Sequence, residues 1–253
     1  MEHKRFFMEL SYQGAAYHGW QRQPNAPSVQ EVLEGALSNL LGHPIAIVGA
    51  GRTDTGVHAR QMFAHYDSPD VLADSAQLVY LLNAHLPQDI AVKSIREVVS
   101  HAHARFDAVA RSYEYHICRQ KDPFGSAFQY YLKNSPDIDL MNRAAKILFE
   151  YNDFQCFSKS NTDVKTFVCD LYRAEWKREG MRDVFYISAN RFLRNMVRAI
   201  VGTLLEIGLK KRTLADLDRI IQSKDRSQAG FSVPAQGLYL TQILYPNDIF
   251  KTI

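Results

Sequence analysis

Cysteine is scarce in this 253-residue chain: Cys118, Cys156 and Cys169 are the only three, and no two form a CxxC pair. An odd number at wide spacing supports neither a disulfide framework nor a zinc site, and a reducing cytoplasm fits best. Long apolar runs are missing as well. None approaches the roughly 18 residues needed to span a membrane, and the start, MEHKRFFMEL, lacks the apolar stretch of a signal peptide. Neither membrane insertion nor export is expected. Charge of one sign is in slight excess only, at +3, so net charge names no nucleic-acid partner and local arginine placement has to decide. What remains is ordinary for a globular protein, with 46% hydrophobic and 23% charged residues. The length allows one large domain or two smaller ones with real cores.

The pattern alternates strands and helices. FFMELSY (Phe6 to Tyr12) reads as a strand. SVQEVLEGALSNLLG reads as a helix, with Ser28 and Glu31 in a capping-box pattern, one apolar face and Gly42 as its stop. Strands are expected at Ile45–Val48 and Met62–Tyr66, a helix near Asp74 to Ala84, and a strand near Ile90 to Val98. The second half repeats this alternation. RSYEYHICR is a strand, and FVCDLYRAEWKREGMRDVFYISA is a hairpin turning near Glu179-Gly180-Met181. Helices are expected near Leu140–Glu150, Phe192–Ile207 and Thr213–Gln222, with a closing strand from Gly237 to Tyr245. Intermingled hairpins and helices predict an α+β fold with mixed, mostly antiparallel pairing rather than a doubly wound sheet. No low-complexity linker divides the chain, so two similar halves, 1–104 and 105–253, are expected to share a sheet or a tight interface.

Four stretches could carry chemistry. GAGRTDTGVHA, residues 49 to 59, places Arg52, Asp54 and His58 in a glycine-bounded loop between strands. It lacks the lysine and hydroxyl pair of a phosphate-binding loop. Taken alone, an Asx-type turn at Asp54 explains it. HAHARFDA holds His101, His103 and Asp107, a weak metal pattern better read as solvated histidines. In RSYEYHI, Tyr115 reads as core, whereas the Tyr113 ring could face a cleft and stack on a flat ligand. In NRFLRNMVRAIVGTLLEIG, an apolar stripe marks a core helix. Arg191, Arg194 and Arg198 follow its flank, either as solvated charges or with one reaching a carboxylate or phosphate.

These stretches, together with SYQGAAYHGWQRQPNAPSVQEVLEGAL and VPAQGLYLTQILYP, resemble in order the signatures of the bacterial tRNA pseudouridine synthase A family. The likeness runs from about Phe7 to Pro246. GRTD followed by GVHA, combined with the F-L-x-x-M-V-R helix, is its most specific part. The resemblance implies the pseudouridine synthase fold with a central cleft. It implies isomerisation of uridine to pseudouridine in the anticodon stem-loop of tRNA, at positions 38, 39 and 40, without cofactor or metal, by a homodimer. The C1′–N1 glycosidic bond breaks, the base turns, and C1′ rejoins at C5, so no redox carrier or donor is needed.

By the same resemblance Asp54 is the catalytic carboxylate, a residue type suited to glycosidic cleavage. Arg198 matches the arginine that pairs with it and holds it ionised. Tyr113 matches the tyrosine that stacks on the base, and Arg52 the arginine thought to help extrude it. His58 and Leu238 support the pocket. The chain departs from the pattern at Thr55, where alanine is common, and at Arg194-Asn195, where histidine is common. A non-catalytic RNA-binding module of the same fold would keep Arg52, Tyr113 and the arginine flank but would need neither Asp54 nor Arg198.

Overall fold

A computed structural model describes residues 4–69, 75–160 and 164–251. The chain divides into two compact units, Met1–Val109 with Leu240–Ile253, and Ala110–Tyr239.

In the first unit, β1 (Lys4–Tyr12) lies between β3 (His58–Ser68) and β4 (Ile90–Val98), antiparallel to both. Met8 opposes Ala64 on one side and Ile95 on the other, and all three are buried. Phe6, Phe7 and Met8 are buried in succession, so both faces of β1 are covered. The helix α2 (Ser75–His85) packs on β4, and α1 (Val29–Leu41) packs on α2. Elsewhere the cover is aromatic. Tyr245 meets Phe7 and Phe63 edge-on at ring-centroid distances of 5.2 and 5.1 Å, and Phe250 meets Phe7 at 6.0 Å. These rings tie the end of the chain to the first unit.

The start of α1 is as read from sequence. Ser28 Oγ accepts the Glu31 N–H at 3.2 Å, and Gly42 ends the helix at φ 74°. The strand expected at Ile45–Val48 is shorter, because β2 is only Val48–Gly49, antiparallel to β3. Ile45 and Ile47 are buried, but their N–H groups go to Ser38 Oγ and Glu34 Oε1 of α1. Side chains of α1 thus take the ladder's place, which periodicity does not reveal. The helix expected near Asp74 begins at Ser75; Asp74 itself lies outside the described residues.

In the second unit, β8 (Arg182–Ala189) lies between β5 (Ala110–Cys118) and β7 (Leu171–Glu179), antiparallel to both, and the short β6 (Tyr130–Tyr131) runs parallel to β5. The β7–β8 hairpin turns at Gly180 (φ 61°), as its sequence indicates. The helix α3 (Ile138–Ile147) packs against β7, and α4 (Met196–Gly208) and α5 (Leu214–Ser223) pack against α3. Apart from Arg198 and Glu206, α4 is buried on all sides, the mark of a core helix. Thr213 and Asp216 form a reciprocal capping box at the start of α5. The last strand, β9 (Leu238–Leu244), begins in the second unit and ends in the first. The α+β class with mixed, mostly antiparallel strands therefore stands. No helix among the described residues is long and apolar enough to cross a membrane.

One expected element needs correction. The helix read from Phe192 starts only at Met196, because Asn195 sits in the left-handed region at φ 66° and breaks the turn before it. Arg191 and Arg194 therefore precede the helix, and the proposed row of three arginines along its flank does not exist.

Candidate active site

The GRTD loop grows out of the short β2 strand. Gly49 pairs with Ala64, and the Ala50 N–H donates to Phe63 O at 2.8 Å. Beyond that point the loop is anchored by the segment after β1. The Trp20 N–H donates to Thr53 O at 3.2 Å, and the Tyr12 hydroxyl bonds Thr53 Oγ1 at 2.9 Å in a buried position. Two glycines let the backbones meet. A Cβ on Gly14 would lie 2.0 Å from Val57 O, and one on Gly19, at φ 93°, would lie 2.5 Å from Thr53 O. Gly49 in turn makes room for the Trp20 indole, which would stand 2.4 Å from its Cβ. Within the loop the Val57 N–H donates back to Asp54 O at 3.1 Å across Gly56, which takes φ 79° as the third turn residue requires.

Thr53 and Val57 are thus buried anchors. Between and beside them, Arg52 is exposed, Asp54 half-buried and Thr55 exposed. Such a loop holds a carboxylate on a tightly anchored backbone, with an exposed guanidinium two residues away. His58 is buried beneath it, where its Nδ1 accepts the Gly14 N–H at 3.1 Å. It supports the loop from inside the fold.

The second unit holds the other group of expected residues. Tyr113 is half-buried on β5, opposite Ile187, with its ring edge-on to Phe192 at 5.1 Å. Tyr115, two residues on, is core as expected, and its hydroxyl donates to Pro234 O at 2.8 Å. Arg198 is half-buried in the first turn of α4 and its Nε donates to Val233 O at 2.7 Å. Leu238 is buried at the start of β9, after Gly237, whose missing Cβ leaves space for the Tyr115 ring.

His103 and Asp107 act on their own backbone. Asp107 Oδ2 accepts the His103 N–H at 2.7 Å, and His103 Nδ1 accepts the N–H groups of Arg105 and Phe106. Beside them, the His65 Nδ1 accepts the Ala104 N–H at 3.1 Å. Burial, assisted by the charges of Arg5 and His103, pushes the His65 imidazole down to about 4. No group of three or more histidine, cysteine or acidic side chains suited to a metal occurs among the described residues.

Sequence reasoning missed the supports. Tyr12, Gly14, Gly19 and Trp20 shape the GRTD loop; two glycines set among aromatics were the visible signal of a close backbone approach. Asn195, Arg226 and Ser232 in the second unit carried no such signal.

The chain is similar to known proteins along nearly its whole length. A family model described as tRNA pseudouridine synthase matches residues 10–107 and 144–246, which takes in Arg52, Asp54, His58, Arg198 and Leu238 but not Tyr113. The chain is 50% identical over 251 residues to tRNA pseudouridine synthase A of Bacteroides thetaiotaomicron, covering 98% of this chain and 93% of that one. It is 49% identical over 247 residues to the protein of the same name from Parabacteroides distasonis, with 98% of each chain covered. The Porphyromonas gingivalis protein of that name is 49% identical over 249 residues, covering 97% of this chain and 99% of its own. By its glycine-held GRTD loop and its likeness along nearly its whole length, this chain belongs to the tRNA pseudouridine synthase family.

Proposed function

We propose that this protein converts uridine to pseudouridine in the anticodon stem-loop of tRNA, at positions 38, 39 and 40, with Asp54 as its catalytic carboxylate. The observation that carries this reading is the GRTD loop, whose neighbours are buried anchors while Asp54 is left half-buried beside the exposed Arg52. A turn that served only the fold would not need Gly14, Gly19 and Gly56 to hold a charged tip so closely.

In the reaction, the carboxylate assists cleavage of the C1′–N1 bond. The base turns, C5 bonds to C1′, and the hydrogen at C5 leaves for solvent while N1 gains one. Tyr113 stacks on the base and Arg52 helps hold it outside the stem, where unstacking costs a few kcal/mol. Arg198 supplies the guanidinium that the carboxylate chemistry requires, and His58 and Leu238 support the pocket. Arginine contacts to phosphate grip the RNA, and a homodimer acting on cytoplasmic tRNA completes the reading. The reaction needs no cofactor, because its atoms and electrons balance within the nucleotide.

Unmodified tRNA carrying uridine tritiated at C5 tests it. Incubation with the protein should release tritium to water, and the new pseudouridines should map to positions 38 to 40. Binding without release would favour the non-catalytic RNA-binding module, and release mapped to other positions would refute the site assignment.

A further inference from the structure

Arg198 is held by a loop that is itself held. Its Nε donates to Val233 O at 2.7 Å, and the Val233 N–H donates to Arg198 O at 3.3 Å. One residue back, Ser232 Oγ receives two donors, Asn195 Nδ2 at 2.6 Å and Arg226 Nη2 at 2.9 Å. Arg226 also directs Nη1 to Gly230 O at 3.1 Å and Ala229 O at 3.5 Å. Its guanidinium is therefore turned onto its own chain. The Gly230 N–H donates to Thr203 Oγ1 at 2.9 Å, on the same helix as Arg198. Gly202 permits this seating, since a Cβ there would lie 1.8 Å from Phe231 O.

Asn195 is the unusual member. It immediately precedes α4 in the left-handed region, at φ 66° and ψ 0°, and its side chain makes no capping bond to the helix. Asparagine tolerates that conformation better than other residues with a side chain. Glycine would also tolerate it but would lose the amide, and alanine would lose both. Here the amide crosses to Ser232 and joins the start of the helix to the loop that receives Arg198.

We propose that Ser232, gripped by Asn195 and Arg226, is a positioning residue for Arg198: it fixes Val233 O and thereby the direction of the Arg198 guanidinium. This rests on the reading that Arg198 serves the reaction. None of the three needs to touch the RNA, so their effect should fall on the chemical step and not on binding.

The test uses Ser232→Ala and Asn195→Gly, the second of which keeps the left-handed backbone accessible. Each is made in the parent and in Arg198→Lys, and single-turnover rate and tRNA affinity are measured. Each substitution in the parent should slow the rate about tenfold, as a small displacement of a reacting geometry does, with affinity within about twofold of the parent. In the Arg198→Lys protein, which lacks the planar fork, the same substitutions should cost almost nothing further. Equal losses in both backgrounds, or a loss of affinity with an unchanged rate, would overturn the inference alone. Full activity of Arg198→Lys and Arg198→Met would overturn the role of Arg198 and this inference with it.

Discussion

The loop that carries Asp54 and the loop that receives Arg198 share a backbone approach through glycine and differ in what is added to it. Around Thr53 the contacts are mainly backbone against backbone, with Gly14 and Gly19 letting the chains meet and one buried hydroxyl pair, Tyr12 with Thr53, between them. Around Ser232 a backbone approach is present too, at Gly202 against Phe231 O, but a net of side chains is added to it: Arg226, Thr203 and Arg198 bond backbone groups, and Asn195 and Arg226 bond the Ser232 hydroxyl. Backbone contacts through glycine fix a loop rigidly but tolerate no added atom. A net of side chains can lose one member and keep the rest. Both loops should accordingly resist an added Cβ where the backbones meet, and the loss of single side chains should be graded around Ser232.

The largest effect should follow from adding one methyl where two backbones meet. Gly14→Ala would set a Cβ 2.0 Å from Val57 O, backbone against backbone, so the chain must move. A loss of about 3 kcal/mol in thermal or denaturant unfolding is expected, at the upper end for overpacking. A variant within about 0.5 kcal/mol of the parent would show that the close approach relaxes freely.

Acid should separate the two units next. The His65 imidazole, held at about 4 in the folded protein against an ordinary value of 6.5, must be neutral for its Nδ1 to accept the Ala104 N–H. The unfolded chain takes up the proton first. Stability from this group is therefore complete above pH 6.5, falls as the pH drops from there toward 4, and is gone below it, to a total on the order of 3 kcal/mol. Residues 229–233 are gripped through an amide, two hydroxyls and two guanidinia, with no imidazole or carboxylate in these bonds. Amide exchange, corrected for its intrinsic pH dependence, should quicken at Ala104 before it does at Gly230. The reverse order would contradict this assignment of the acid-sensitive element.

The smallest effect is expected from Tyr12→Phe, which removes one buried bond and leaves the glycine approach intact. About 1 kcal/mol of stability should be lost, and the paired Tyr12→Phe, Thr53→Val variant should recover part of it, since neither partner is then left unsatisfied. A loss as large as that of Gly14→Ala would mean that the hydroxyl pair, and not the glycine contact, holds the loop.

How much of this was visible in the sequence follows the same division. Glycine, arginine, aspartate and histidine crowded into eleven residues marked a candidate that a simple turn could explain, and only the family resemblance made it an expected site; α1, β4 and the β7–β8 hairpin were legible from capping residues, periodicity and turn chemistry. The strand at Ile45–Val48 was not, because whether a buried apolar run joins a ladder depends on Glu34 and Ser38 reaching over from α1. The start of α4 was not legible either. An unbroken apolar stripe runs through Asn195, and only the backbone shows that this residue turns left-handed. Tertiary partners decided both cases, and local pattern carries no record of them.

The most direct measurement is single-turnover conversion of tRNA uridine by Asp54→Asn, which keeps the size of the side chain and removes its charge. If the carboxylate held at the tip of the GRTD loop does the chemistry, the rate should fall by more than about a thousandfold while tRNA affinity and melting temperature stay near those of the parent. An Asp54→Asn protein that turns over within about tenfold of the parent would contradict it.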